Sequence, residues 1–162
     1  MNPKMSPRGE NLLQTASELL PAFLNQNKKF LGGREGGCLA ILDKFGSFRE
    51  TIHLFDIGEI PLGKLNEKRA FAKEKVFRVT HMNETHKHLT SFESENSGNR
   101  QYGGGIKMDD GLFVSFSGFP AHLDQDFVIL AGLFSYEMTL EQAIEIRKRT
   151  IDKYPRSFFT ER

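Results

Sequence analysis

The chain has 162 residues, 22 of them basic and 21 acidic, with a net charge of +1, and 38% hydrophobic and 27% charged residues. This composition suits one globular domain with a buried core. It argues against a protein built around nucleic-acid phosphates, which call for a basic excess, and no apolar run approaches the roughly 20 residues that cross a bilayer. The lone Cys38 excludes an internal disulfide and a four-cysteine zinc site. The first twenty residues lack a signal peptide's apolar stretch, so a cytoplasmic location is expected, with no membrane and no nucleic acid as partner.

The first periodic segment spans residues 10–30. Leu12, Leu13, Ala16, Leu19, Leu20, Phe23 and Leu24 recur at helical spacing. Pro21 inside the pattern predicts a kink or two short helices. The glycine-rich stretch 32–37 then ends the helix. Residues 38–42 and 49–55 read as a β-hairpin around a turn at Phe45-Gly46-Ser47, with Pro61 and Gly63 marking the next loop. Residues 64–79 look helical. A second short helix is expected at 83–94, capped by Asn83 or Thr85. The polar stretch 94–105 reads as a loop.

Residues 106–108 and 112–117 flank Asp109-Asp110-Gly111, and Asp-Gly between two apolar runs is a strong hairpin signal. A helix is expected from Asp124 through Phe134. Thr139-Leu140-Glu141-Gln142 forms a capping box that opens a further helix to about Tyr154, before Pro155. Two hairpins separated by helices predict an α+β fold, an antiparallel sheet covered by helices.

Three stretches together resemble the GlcG/HbpS-like family, also called the haem-degrading domain family. The first is Leu39-Ala40-Ile41-Leu42-Asp43 followed by Gly46. The second is Phe55-Asp56-Ile57-Gly58-Glu59 with Lys68-Arg69-Ala70-Phe71-Ala72. The third is Gly103-Gly104-Gly105, the Asp-Gly hairpin, Ser117-Gly118-Phe119-Pro120 and Asp124-Gln125-Asp126, with Ala131-Gly132 farther on. The likeness covers about residues 36–133 of a single domain spanning 1–162, with an N-terminal helix at 10–30 and a C-terminal helix at 139–154. The resemblance implies a profilin-like five-stranded antiparallel sheet flanked by helices, a homo-oligomer (dimer or larger), and in some relatives haem as ligand.

The histidines are the first candidates for chemistry. His81, His86 and His88 lie within eight residues beside Met82, and imidazole and thioether both ligate haem iron. The spacing matches no metal signature, and a surface helix-loop with titratable side chains is the reading it favours. His122 stands just before a helix, near the most family-like stretch. Gly103 and Gly104 would admit a flat ligand or another stretch of backbone, and Gln125 could point at a ligand. Asp124 and Asp126 suit helix capping. Asp43, Asp56 and Glu59 could pair as acid and base, or serve as turn residues. Cys38 reads as a buried thiol, and residues 67–75 as a solvated helix face with a Glu74–Arg78 pair. The chain carries 15 Phe, 3 Tyr and no Trp, so Phe either fills the core or lines an apolar pocket.

Three functions follow as expectations. The first is a small-molecule-binding protein for haem or another tetrapyrrole. The second is a homo-oligomeric accessory protein. The third is an enzyme acting on a small organic acid.

Overall fold

The computed structural model describes residues 5–44 and 51–151. Four α-helices are present among the described residues, α1 (Pro7–Gln26), α2 (Leu65–His86), α3 (Ala121–Phe134) and α4 (Leu140–Lys148). The strands are β1 (Glu35–Asp43), β2 (Ile52–Glu59), β3 (Gly105–Lys107) and β4 (Leu112–Ser117). They form an antiparallel sheet in the order β2-β1-β4-β3. The α+β reading and both hairpins therefore hold, with four strands among the described residues. No described helix is long and apolar enough to cross a membrane.

The sheet is covered on both faces, and the alternation of β1 and β4 shows why. Leu39, Ile41, Leu112, Val114 and Phe116 join the core made with α1, α3 and α4. Cys38, Ala40, Leu42 and Phe113 point the other way, against Ala72, Val76 and Val79 of α2. With period-2 side chains, a central strand apolar at every position must be buried on both faces. Phenylalanine fills much of the larger core: Phe116 and Phe127 lie 4.7 Å apart between ring centres, and Phe23 and Phe127 5.1 Å apart.

Several boundaries differ from expectation. α1 runs unbroken through Pro21; it opens with Ser6, whose hydroxyl accepts the Gly9 N–H, and with Pro7 in the first turn, where the missing N–H costs nothing. No new helix starts at Asn83 or Thr85, because α2 continues to His86 and stops at Lys87 in the left-handed conformation, φ 60°. A 3-10 turn, Ser91–Ser94, follows, capped by Thr90 and Glu93. α3 starts at Ala121, not Asp124, since the Pro120 carbonyl accepts the N–H groups of Leu123 and Asp124 at 2.9 Å each. The Asp110-Gly111 turn has φ 46° and 74°, both left-handed, and the Leu112 N–H donates to the Asp109 carbonyl at 3.1 Å to close it. The Thr139–Gln142 capping box is present. α4 ends at Lys148; the turn at Phe45-Gly46-Ser47 and the expected helix end at Tyr154 lie outside the described residues.

Candidate functional site

The site is built on one face of α2. Lys64, the residue just before α2, and Lys68, Phe71 and Lys75 within it stand at i, i+4, i+7 and i+11, the spacing of a single helical stripe. At one end Lys75 is buried, which overturns the expectation of a solvated helix face across residues 67–75. Its ammonium donates to an Asp124 carboxylate oxygen at 2.9 Å and to the Phe116 carbonyl at 3.0 Å. Both side chains are nearly inaccessible, at 3% and 2% exposure. The other Asp124 oxygen accepts the backbone N–H groups of Gly118 and Phe119, at 3.1 and 2.8 Å. Asp124 thus pins the β4–α3 turn to α2 and is not an N-cap of its own helix. Burial pushes its carboxyl up to about 6, against the opposing pull of Lys75 and the Phe119 N–H.

Gly104 makes this contact possible. A Cβ there would sit 2.9 Å from Lys75 Nζ and 3.0 Å from Asp124 Cβ, and its φ of 121° is one that side chains avoid. Gly103 faces the ring of Phe92. Both glycines are buried and receive the protein's own side chains. Gln125 is also buried, accepting from the Thr90 hydroxyl and donating to Thr150 Oγ1 at 3.2 Å.

The open part of the stripe borders a cleft. One lobe, of about 330 Å³, is lined by Arg34, Glu67, Lys68, Phe71, Arg100, Tyr102 and Phe119, with Lys75 and Asp124 at its base. A second lobe, of about 640 Å³, runs past Gly32-Gly33, Glu35, Glu59, Pro61 and Lys64 to Gly118. Arg34, Glu67 and Lys68 line both. Phe71 and Tyr102 meet edge to face at 5.7 Å, and the Arg100 guanidinium lies 5.0 Å from the Phe71 ring.

The charges of this cleft are unevenly satisfied. Glu67 pairs with Lys64 at 3.4 Å and with Arg100 at 3.1 Å, and Asp124 pairs with Lys75. Arg34 and Lys68 have no ion-pair partner among the described residues. Lys68 is half-buried, and desolvation, then the charge of Arg34, lowers its pKa below that of a free lysine. Two cations side by side at the mouth of a walled cleft can hold an anion, and the aromatic pair can take a flat or apolar portion of the same molecule.

The histidines lie elsewhere. His81 and His86 are exposed on the last turns of α2, with His86 Nδ1 2.7 Å from the Thr85 hydroxyl. The His86 and His88 rings stand 5.7 Å apart, and His88 Nδ1 is buried without a hydrogen bond. His122 is partly buried on the first turn of α3, where burial and Arg147 lower its pKa. None of the four lines the cleft, and no group of three or more His, Cys, Asp or Glu side chains among the described residues could hold a metal ion.

The three carboxylates suggested as an acid–base set are also apart. Asp43 accepts from Ser6 and Arg8 at 2.7 and 2.9 Å, tying α1 to the end of β1. Asp56 pairs with Arg69, while Glu59 borders the larger lobe. Asp126 is buried in α3. Cys38 is fully buried, and burial raises its thiol to about 11, which suits an inert side chain.

Sequence reasoning singled out Gly103, Gly104 and Gln125, of which Gly104 packs against Lys75 and Asp124, and passed over Arg34, Lys68, Lys75, Arg100 and Tyr102. The signal available was the cation–aromatic stripe of α2. Arg34 and Arg100 come from separate loops, and only the folded chain joins them. No family model, no curated protein and no solved structure matches this chain.

Proposed function

We propose that this chain is a small-molecule-binding protein whose ligand is an organic anion seated in the Arg34–Lys68 cleft. The observation that carries the reading is that these two cations share a cleft with Phe71 and Tyr102 yet have no carboxylate partner of the described protein. Lys68 is half-buried and Arg34 is exposed beside it, and a bound anion would offset the cost of holding the two charges together. A tetrapyrrole such as haem, the ligand implied by the GlcG/HbpS-like resemblance and its profilin-like five-stranded sheet, would place its propionates there. Imidazole ligation is less favoured, because the histidines lie outside the cleft.

Titration calorimetry with acetate, benzoate and haemin tests the reading. Benzoate is expected to bind more tightly than acetate, through the aromatic wall. Arg34→Gln should weaken binding about tenfold to a hundredfold, the worth of one charge-assisted contact. Absence of binding by all three, or binding indifferent to Arg34→Gln, would remove the proposal. For haemin, a Soret band lost on replacing one of His81, His86, His88 or His122 with Ala would instead assign a histidine ligand.

A homo-oligomeric role is favoured by a separate observation. Leu140 and Ile144, one turn apart on α4, are 59% and 47% exposed, and Phe134 and Tyr136 just before α4 are also exposed. Apolar side chains grouped in this way commonly mark a contact surface.

A further inference from the structure

We infer that Lys68 is an amine nucleophile that condenses with the carbonyl of a 2-oxo acid whose carboxylate is held by Arg34. This rests on the anion-binding reading of the same cleft and gives its ligand a chemical class.

The geometry separates the two cations by role. A guanidinium stays charged at any working pH and presents a planar fork that matches a carboxylate. An ammonium ion beside it, half-buried and without a carboxylate of its own, is the one that can shed its proton. No carboxylate pairs directly with Lys68: Glu67, engaged by Lys64 and Arg100, and Asp124, engaged by Lys75, pull its pKa upward, but less than desolvation and Arg34 push it down. Desolvation together with a neighbouring cation is the recognised way to make a lysine nucleophilic, and the lowered pKa of Lys68 has those two causes. A carboxylate clamp next to a free amine fits an acid with an electrophilic carbon adjacent to its carboxylate. A plain carboxylic acid would use only half of the site.

In the step itself, the lone pair of Lys68 Nζ forms a C–N bond to the ketone carbon. The C=O π pair moves to oxygen, which takes a proton to become a hydroxyl. A second proton converts that hydroxyl to water, which leaves as the nitrogen pair forms C=N. The net change is amine plus ketone plus one proton giving iminium plus water. No oxidation state changes, and the protons come from the amine and from solvent.

The test uses the unmodified full chain, pyruvate and sodium borohydride, followed by peptide mapping in a mass spectrometer. Reduction fixes the iminium as a secondary amine, heavier than the parent peptide by pyruvic acid less one oxygen. The adduct is expected at Lys68 in clear excess over exposed lysines such as Lys73 or Lys148, because a lowered pKa leaves more of the amine unprotonated. Lactate, which has the carboxylate and no carbonyl, should slow trapping by competition. Lys68→Arg should abolish the adduct. Trapping spread evenly over surface lysines, or directed to Lys75, overturns the inference. If pyruvate binds through Arg34 and no adduct forms at Lys68, the inference falls and the anion-binding reading stands. If pyruvate and the other anions all fail to bind, both fall.

Discussion

Asp124 shows how one side chain in this protein holds two kinds of bond at once. One oxygen satisfies two backbone N–H groups of the β4–α3 turn, and the other accepts from Lys75. The two jobs separate under substitution. Lys75→Met leaves a carboxylate buried without its counter-ion, and should cost about 3–5 kcal/mol of stability near neutral pH. Asp124→Asn retains an oxygen for the turn while removing the charge. The double variant should therefore be more stable than Lys75→Met alone, with a coupling of about 1–3 kcal/mol in a urea-unfolding cycle. Strict additivity would mean that the two groups do not act as a pair. These residues were hard to read in sequence. Asp124 sits where a helix N-cap is expected, and Lys75 lies in a run of charges; what unites them is a separation of 49 positions along the chain.

Among the elements, those governed by local chemistry were legible and those set by distant packing were not. Asp110-Gly111 and the Thr139 capping box are decided within four residues, since each satisfies its own backbone groups. Thr139→Ala should lower stability by about 1 kcal/mol, measured by chemical denaturation, through loss of the bond to the Gln142 N–H. A change near zero would show that α4 does not depend on its cap. The end of α2 was misplaced because Asn83 and Thr85 look like caps, yet Thr85 is spent on the His81 carbonyl and Asn83 on the His88 carbonyl. Helix continuation won because Val76 and Val79 pack beneath the sheet and carry the helix past the sequence signal. The cleft was legible only in part. Its α2 stripe could be counted, whereas Arg34 and Arg100 arrive from loops whose positions follow from the sheet.

At the scale of the molecule, α2 has two occupied sides, one against Cys38, Ala40, Leu42 and Phe113, and one along the cleft. α1, α3 and α4 cover the opposite face of the sheet, leaving Leu140 and Ile144 outward. If those two residues meet a second copy, Leu140→Glu with Ile144→Glu should convert an oligomer to a monomer in sedimentation velocity without unfolding the chain. A parent protein already monomeric at high concentration would rule that contact out.

Cys38 turns this architecture into a gauge of its own opening. The thiol is fully buried in β1, between β2 and β4 and beneath α2. A thiol-labelling reagent can reach it only when α2 lifts or the strands part, so the labelling rate counts excursions from the closed structure. Because α2 also borders the cleft, any anion that bridges Arg34 on its loop to Lys68 on the helix must oppose that lifting. Occupancy of a site on the outside of the helix would then be legible as silence from a sulfur atom on its inside.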